Sequence, residues 1–363
     1  MEKNKINNLE LGSIIYFISR AFLLSVTFNA VIKYTKQDSW YIPILNIIPG
    51  IIFIFFLISL MNYEPNLPLT EKLKKLFNNK ISNIMLISSV LFASFLGIVN
   101  YLNLGNFIQS QFLSNTPILA ISIMFSIATY YVLSKGINAI TRASTIFLYI
   151  NIVLFLLSFI SLIPQFRISN LMPFFNSSVK DNFNSLLNFY AFNITPIFMI
   201  SIIPKSSIKN PKLKKTLLIS FIFSAITLFI MIFSTISTFG YELSILYEYP
   251  EFHVLKNISI GGLSSRIESI LVIQLLFDVF ISHVIIIYFI ANIIASIFKI
   301  KKMNLLYFII ITIFVIGVSL FSRFNIYIDN ILINGIPLIS SIFTIILDSI
   351  IFIKIKTSKK LVN

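Results

Sequence analysis

The sequence of 363 residues contains no cysteine and only two histidines, His253 and His283. Without cysteine the chain forms no disulfide bond and has no thiol nucleophile or thiolate metal ligand. Two histidines are too few for a histidine-rich metal site. The sequence also contains no Gly-rich phosphate-binding loop and no His-Glu-x-x-His motif. We therefore expect no enzymatic activity, no bound metal and no cofactor.

Charged residues are scarce as well. They make up 11% of the chain, whereas 57% of the residues are hydrophobic and the mean hydropathy is +0.92. Soluble globular chains contain roughly 25% charged residues, and a single hydrophobic core stops growing near about 300 residues. A bilayer can solvate this much apolar surface from outside. The composition excludes a water-soluble protein and predicts an integral membrane protein.

Ten stretches of the sequence are apolar over about 20 residues, the length that a transmembrane helix needs. They are uniformly apolar rather than alternating, which excludes a membrane β-barrel. We therefore predict an all-α integral membrane protein with a single transmembrane domain over residues 1–363. The predicted spans are 11–33, 41–62, 81–103, 117–134, 143–163, 184–204, 216–239, 268–297, 305–322 and 335–353.

The distribution of basic residues predicts the orientation. With the N-terminus in the cytoplasm, 20 of the 28 Lys and Arg residues fall on the inner side and seven on the outer side, with Arg20 inside a span. Because cytoplasmic loops carry the excess of Lys and Arg, both termini are expected in the cytoplasm. The net charge of +15 comes from clusters next to the spans, where anionic lipid headgroups attract them. We expect no nucleic-acid partner, which would need basic residues on one solvated face.

Ionisable residues inside the predicted spans are costly and therefore functional candidates. Arg20 in span 1 and Asp278 in span 8 lie at similar depth, so an ion pair between them would offset two buried charges. Alternatively, each charge finds water, backbone carbonyls or a helix interface separately. His283 is expected to be a neutral, hydrogen-bonded interior residue, with a proton relay as the alternative. Asp348 is expected to reach toward the inner lysines.

Spans 1 and 6 carry the uncharged polar residues that point to a ligand site. Pro196 in span 6 removes one intrahelical hydrogen bond and so breaks that helix. Transporters built from two inverted five-helix repeats carry broken helices at these corresponding positions, with the substrate at the bilayer midplane. We therefore predict a 5+5 inverted-repeat bundle of the LeuT/APC-like kind. The predicted ligand-binding residues are Ser25, Thr27, Asn193, Thr195 and Asp278.

Several segments resemble a known family. The residues that carry the resemblance are Gln37, Asp38 and Trp40 after span 1; Gly136, Ile137 and Arg142 near span 5; Asn170, Leu171 and Pro173 before span 6; and Tyr249, Pro250, Ile258, Gly261, Arg266 and Glu268 before span 8. Together, with fitting spacing over nearly the whole chain, they are similar to the B subunits of spore nutrient-germinant receptors. That family is a branch of the amino acid–polyamine–organocation (APC) transporter superfamily.

The resemblance implies a transporter-like fold that senses a small nutrient, often an amino acid, in the spore inner membrane. It also implies two partners, an A-type subunit and a lipoprotein C-type subunit. A proton- or sodium-coupled amino acid permease, with Asp278 or His283 as the coupling group, and a structural membrane component stay open as alternatives. The family usually has a Gly-rich break in span 1, whereas residues 24–29 contain no glycine. Whether span 1 is unwound therefore stays open.

Overall fold

A computed structural model of the chain describes residues 5–257, 259–260, 263–264, 267–322 and 335–360. Ile258, Gly261 and Arg266 of the resemblance lie outside these residues, and so does the side chain of Ser25. The α-helices are α1 (Asn8–Arg20), α2 (Phe28–Thr35), α3 (Ile42–Leu45), α4 (Ile47–Asn62), α5 (Leu69–Leu76), α6 (Asn79–Gln111), α7 (Ile118–Ser134), α8 (Ile137–Leu162), α9 (Val179–Phe189), α10 (Leu213–Ser244), α11 (Pro250–Lys256), α12 (Glu268–Phe298), α13 (Met303–Phe321) and α14 (Ile336–Lys360).

Shorter elements join these helices. Two-residue antiparallel strands, β1 (Ser259–Ile260) and β2 (Leu263–Ser264), form a small hairpin after α11. Short 3₁₀ turns cover Lys36–Tyr41, Ile163–Gln165, Ile168–Leu171 and Lys205–Ser207. Within the described residues, eight helical segments are long and apolar enough to cross a membrane, and Ile118–Ser134 is a shorter apolar helix. The predicted all-helical, multi-pass architecture is confirmed at this level.

The two predicted broken helices both depart from α-helical geometry. Between α1 and α2 the chain forms a π-helical turn, Leu23–Thr27, in which the backbone N–H and the hydroxyl of Thr27 both donate to the Phe22 carbonyl, at 3.0 and 2.8 Å. Span 1 is therefore interrupted without any glycine. After α9 a π-helical turn, Tyr190–Ile194, runs into a 3₁₀ segment, Thr195–Ile202, whose first turn contains Pro196.

Helix α8 illustrates how the bundle meets its surroundings. Ser144, Asn151 and Ser158 recur every seven residues on one face and are buried. The opposite face exposes large apolar side chains, such as Leu157 and Ile160, whose exposed fractions are 50% and 60%. Because the polar residues lie inside and the apolar residues outside, this surface suits lipid rather than water.

Loops at one end of the bundle are bonded to one another. Ile6 pairs with Ile208, and Asn8 binds the 209–216 segment through the Asn210 carbonyl and the Lys212 N–H. The Ser206 N–H donates to the Pro65 carbonyl, which joins the segment before α5 to the same end. All of these segments are predicted to be cytoplasmic from their lysine content.

The opposite end is held together by Asp38. This buried carboxylate accepts hydrogen bonds of 2.8 Å from the backbone N–H groups of Phe175 and Ser177 and from the Ser177 hydroxyl. Trp40 lies beside it, in edge or tilted contact with the rings of Phe174 and Phe175. The residues at 37–40 that carry the family resemblance thus tie the loop after span 1 to the loop before span 6.

Helix α5, Leu69–Leu76, lies in the connection between the second and third predicted spans. Lys72 on this helix does not face the surface. Its side chain is buried, and its ammonium group donates to the carbonyls of Leu60 and Met61 at 3.0 and 3.1 Å. Lys72 therefore satisfies two of the carbonyls that α4 leaves free at its C-terminal end.

Candidate ligand site between the broken helices

Thr27 and Asn193 bring the two broken segments into direct contact. Both side chains are buried, and the Asn193 amide nitrogen donates to the Thr27 hydroxyl oxygen at 3.3 Å and to the Phe189 carbonyl at 3.1 Å. The amide oxygen of Asn193 is buried without a hydrogen-bond partner among the described residues. Next to this contact, the rings of Phe22 and Phe192 lie 5.7 Å apart. The two broken segments therefore touch each other here, and the Asn193 amide oxygen beside the contact is available as a hydrogen-bond acceptor.

Thr195 is placed at a different cavity. Its hydroxyl donates to the Ala191 carbonyl, and its side chain lines a space of about 20 Å³ together with Ser89, Thr344 and Asp348. Such a volume holds about one water molecule. Of the predicted ligand residues, the structure thus brings Thr27 and Asn193 together and sets Thr195 apart from them.

Arg20 and Asp278 are in contact with each other. The Arg20 Nε lies 3.2 and 3.3 Å from the two carboxylate oxygens of Asp278, and both side chains are almost fully buried. One terminal nitrogen of the guanidinium donates to the Thr227 hydroxyl at 2.7 Å. The Tyr16 ring lies against the same guanidinium, 4.9 Å from its carbon. Because the Asp278 carboxylate is bound by Arg20, this cluster links α1, α10 and α12.

His283 is buried, but it is not the hydrogen-bonded residue that we predicted. Its two ring nitrogens have no hydrogen-bond partner among the described residues. The imidazole instead stacks on the Tyr101 ring, with 3.8 Å between the centroids. His283 is therefore interior, as predicted, but the predicted hydrogen bond is absent among the described residues.

Asp348 also differs from its prediction. It is buried rather than extended toward the inner lysines, and one carboxylate oxygen has no partner among the described residues. It lines the small cavity beside Thr195 and also an open apolar groove of about 490 Å³ between α4 and α14. Ser341, Thr344 and Asp348 follow helical spacing on one face of α14 and are all buried. This polar stripe in the sequence could have indicated that the face points into the bundle.

Comparison with solved structures shows the fold. The chain is similar to a Na⁺-coupled sialic acid symporter, with a TM-score of 0.64 at 15% identity over 93% of this chain and 77% of that one. It is also similar to MhsT in complex with L-phenylalanine, with a TM-score of 0.66 at 16% identity over 92% and 86% of the two chains. For the Eremococcus coleocola manganese transporter the TM-score is 0.64 at 11% identity, over 96% and 78%. At these identities the likeness concerns the fold alone, which is that of LeuT-type transporters.

Sequence comparison identifies the family. The chain is 25% identical over 243 residues to the spore germination protein YfkT of Bacillus subtilis (strain 168), which is 66% of this chain. The match spans 65% of the length of that relative. The sequence profile of the family described as "Spore germination protein" matches residues 8–326. The resemblance to spore germinant receptor B subunits is thus confirmed, and the chain belongs to the spore germination protein family of transporter-fold membrane proteins.

Proposed function

We propose that the chain is the membrane-embedded subunit of a spore nutrient-germinant receptor, which binds a small nutrient between its broken helices to trigger germination. The observation that carries this proposal is the buried contact between Thr27 and Asn193, since it joins the two interrupted segments inside an apolar bundle. Membership in the spore germination family and the transporter fold support it.

The contact between Thr27 and Asn193 has the properties of a closed binding site. Their hydrogen bond is long, at 3.3 Å, and the Asn193 amide oxygen lacks a partner among the described residues. A nutrient with both donor and acceptor groups gains bonds to these atoms when it separates the two side chains. Its binding therefore favours an open arrangement of the broken helices. Ser25 belongs to the proposed site by its position in the same turn.

The proposal includes ten membrane crossings in two inverted five-helix repeats, with both termini in the cytoplasm. The segments that are bonded together at the Ile6 end are those predicted to be cytoplasmic, and those around Asp38 are predicted to be external. Interruptions in the first and the sixth span, at Leu23–Thr27 and Tyr190–Ile202, are what two inverted repeats would produce. Labelling of single cysteines from outside, in this naturally cysteine-free chain, tests the orientation loop by loop.

We further propose that the protein acts in the spore inner membrane with an A-type subunit and a lipoprotein C-type subunit. Family membership supports both parts of this proposal. Deletion of the gene should then abolish recovery of the partner subunits as a complex.

The site is tested by ligand titration of the purified, reconstituted protein with a panel of amino acids, sugars and inorganic ions. We expect at least one compound to raise the unfolding temperature, and Thr27→Val and Asn193→Leu to abolish that shift. Thr312→Val and Asn292→Leu are matched controls, because each of these side chains donates to the carbonyl four residues earlier and lies outside the proposed site. If both site variants keep every response, the site is assigned to the wrong residues.

A coupled amino acid permease is the second candidate. The buried pair of Arg20 and Asp278 favours it, because intramembrane charges are typical of ion pathways. Uptake into proteoliposomes under an imposed proton or sodium gradient separates the two functions. Accumulation of solute supports the permease, binding without flux supports the receptor, and neither response would indicate a structural component.

A further inference from the structure

A second cavity, lined by apolar residues and by five polar ones, lies between α8, α10, α11 and α12. Its volume is about 30 Å³, which holds one water molecule or one ion and excludes an amino acid. The polar side chains that line it are all buried: Ser158, Ser234, Thr235, Glu251 and Gln274.

The polar atoms around this cavity are almost all acceptors. Ser158, Ser234 and Thr235 each donate their hydroxyl hydrogen to the backbone carbonyl four residues earlier. The amide nitrogen of Gln274 donates to the Ser158 hydroxyl at 3.1 Å, and its amide oxygen has no partner among the described residues. Both carboxylate oxygens of Glu251 also lack a partner there. An occupant must therefore supply positive charge or hydrogen-bond donors.

The surrounding charges point the same way. Phe155 and Met231 line the cavity and also contact the Arg20 guanidinium. The guanidinium carbon lies 5.8 Å from the centre of the Phe155 ring, and one terminal nitrogen lies 3.5 Å from the Met231 sulfur. That guanidinium is already balanced by Asp278 at 3.2 Å. When all three groups are ionised, Glu251 leaves one negative charge without compensation in a buried region, which is costly.

We propose that this cavity binds one monovalent cation, held by the Glu251 carboxylate together with the Gln274 amide oxygen and the hydroxyl oxygens of Ser158, Ser234 and Thr235. A single carboxylate with neutral oxygen ligands suits Na⁺, K⁺ or ammonium better than Ca²⁺ or Mg²⁺, which usually take more carboxylates or keep several waters. The occupant would join α11 to the three long helices. This site does not depend on the proposed nutrient site, because Thr27 and Asn193 do not line the cavity.

A proton competes with the cation for Glu251. Burial raises the pKa of the Glu251 carboxyl from 4.5 to about 8. Among the described residues that line the cavity, Glu251 is the one titratable group. The other charged or titratable groups on the helices around it include His253 and Lys256 on α11, Glu268 on α12 and the pair of Arg20 and Asp278 behind the wall.

The test is a cation titration of the full-length protein in detergent, with NaCl, KCl or NH₄Cl replacing choline chloride at constant ionic strength. At pH 9 we expect a saturable rise in unfolding temperature with at least one of the three salts. At pH 6 we expect a weaker apparent affinity, because protons compete for the raised-pKa carboxyl of Glu251. Glu251→Gln should weaken it at least tenfold at pH 9.

Glu242→Gln is the matched control, because Glu242 is an exposed carboxylate near the end of α10 that does not line the cavity, and it should leave the titration unchanged. Should Glu251→Gln fail to fold, Gln274→Leu, which removes another proposed ligand, should weaken the affinity in its place. An absent cation effect at pH 9, or an equal effect in the wild type and in the cavity variant that folds, would overturn the proposal.

Discussion

The buried ion pair of Arg20 and Asp278 gives the sharpest energetic prediction. Its two charges lie 3.2 Å apart, the exposed fractions of the side chains are 1% and 7%, and Arg20 also donates to Thr227. We consider Arg20→Met, Asp278→Leu and the double variant, in which two apolar side chains replace the pair.

The magnitude follows from two opposing terms. Attraction between unit charges at this distance is about 5 kcal/mol at an effective dielectric constant near 20. Removal of each ion from water costs several kcal/mol, so the intact pair contributes little net stability. Each single variant leaves one buried charge uncompensated and should lower the free energy of unfolding by about 3–5 kcal/mol. The double variant should recover most of that loss.

Reversible denaturant unfolding in mixed micelles measures the four free energies of this cycle. We expect a coupling energy of about 3 kcal/mol or more between Arg20 and Asp278. The exposed pair of Lys75 and Glu64, with 2.9 Å between its charged atoms, is the internal control, and its coupling should stay below about 1 kcal/mol. Additive losses at Arg20 and Asp278 would refute the reasoning, because they would mean that the charges do not compensate each other.

Three further predictions concern single side chains. Burial lowers the pKa of Lys72 from 10.5 to about 8, and its neutral amine can still donate to both carbonyls. Between pH 8 and 10.5 the unfolded chain binds more protons at Lys72 than the folded chain does, so the free energy of unfolding should rise with pH. Lys72→Met should remove that rise, as measured by thermal unfolding over this pH range. Gly50→Ala should cost about 1–3 kcal/mol, because the new methyl group overlaps the Phe221 ring. His283→Phe should change stability by less than about 1.5 kcal/mol and keep any nutrient response, since the stacking on Tyr101 is preserved.

Each of these variants has its own control or contrary outcome. Lys74→Met on the same helix should keep the rise of stability with pH. Gly317→Ala places its methyl group in ordinary contact with Ile98, at 3.4 Å, and should be tolerated. A nutrient response that disappears in His283→Phe would favour the proton relay instead.

The architecture was largely predictable because the physics behind it is local to each segment. A run of 20 apolar residues must be helical in a bilayer. Lysine clusters indicate which helix ends lie on the same side of the membrane. Pro196 predicted the break in span 6. The break at Leu23–Thr27 carries no such mark, because there the Thr27 hydroxyl and backbone N–H share one carbonyl in a π-helical turn. That arrangement depends on tertiary packing and is invisible in the sequence.

The site was predictable only in part, for a related reason. The polar residues of spans 1, 6 and 8 could be identified one by one. Their partners depend on how each helix is rotated about its axis, and the sequence of an apolar span does not specify that rotation. Asp278 therefore meets Arg20 rather than the Thr27 and Asn193 contact. Glu251 was missed because charged residues in an outer loop are usually solvated, whereas α11 folds back and buries it.

The two halves of span 1 are bonded to different parts of the bundle. Helix α1 is fixed along its length, since Tyr16 bonds to Asn151 on α8 at 2.9 Å and Arg20 bonds to both α12 and α10. Helix α2 bonds instead to α9, where the Ser185 hydroxyl lies 3.3 Å from the Val31 carbonyl, and to the loop before α11, where Asn29 donates to the Glu248 carbonyl at 2.9 Å. Both α2 and α9 lead directly into the interrupted segments that meet at the proposed site. A nutrient that parts those segments would act on α2 and α9 together, because Asp38 ties the loop after α2 to the loop before α9.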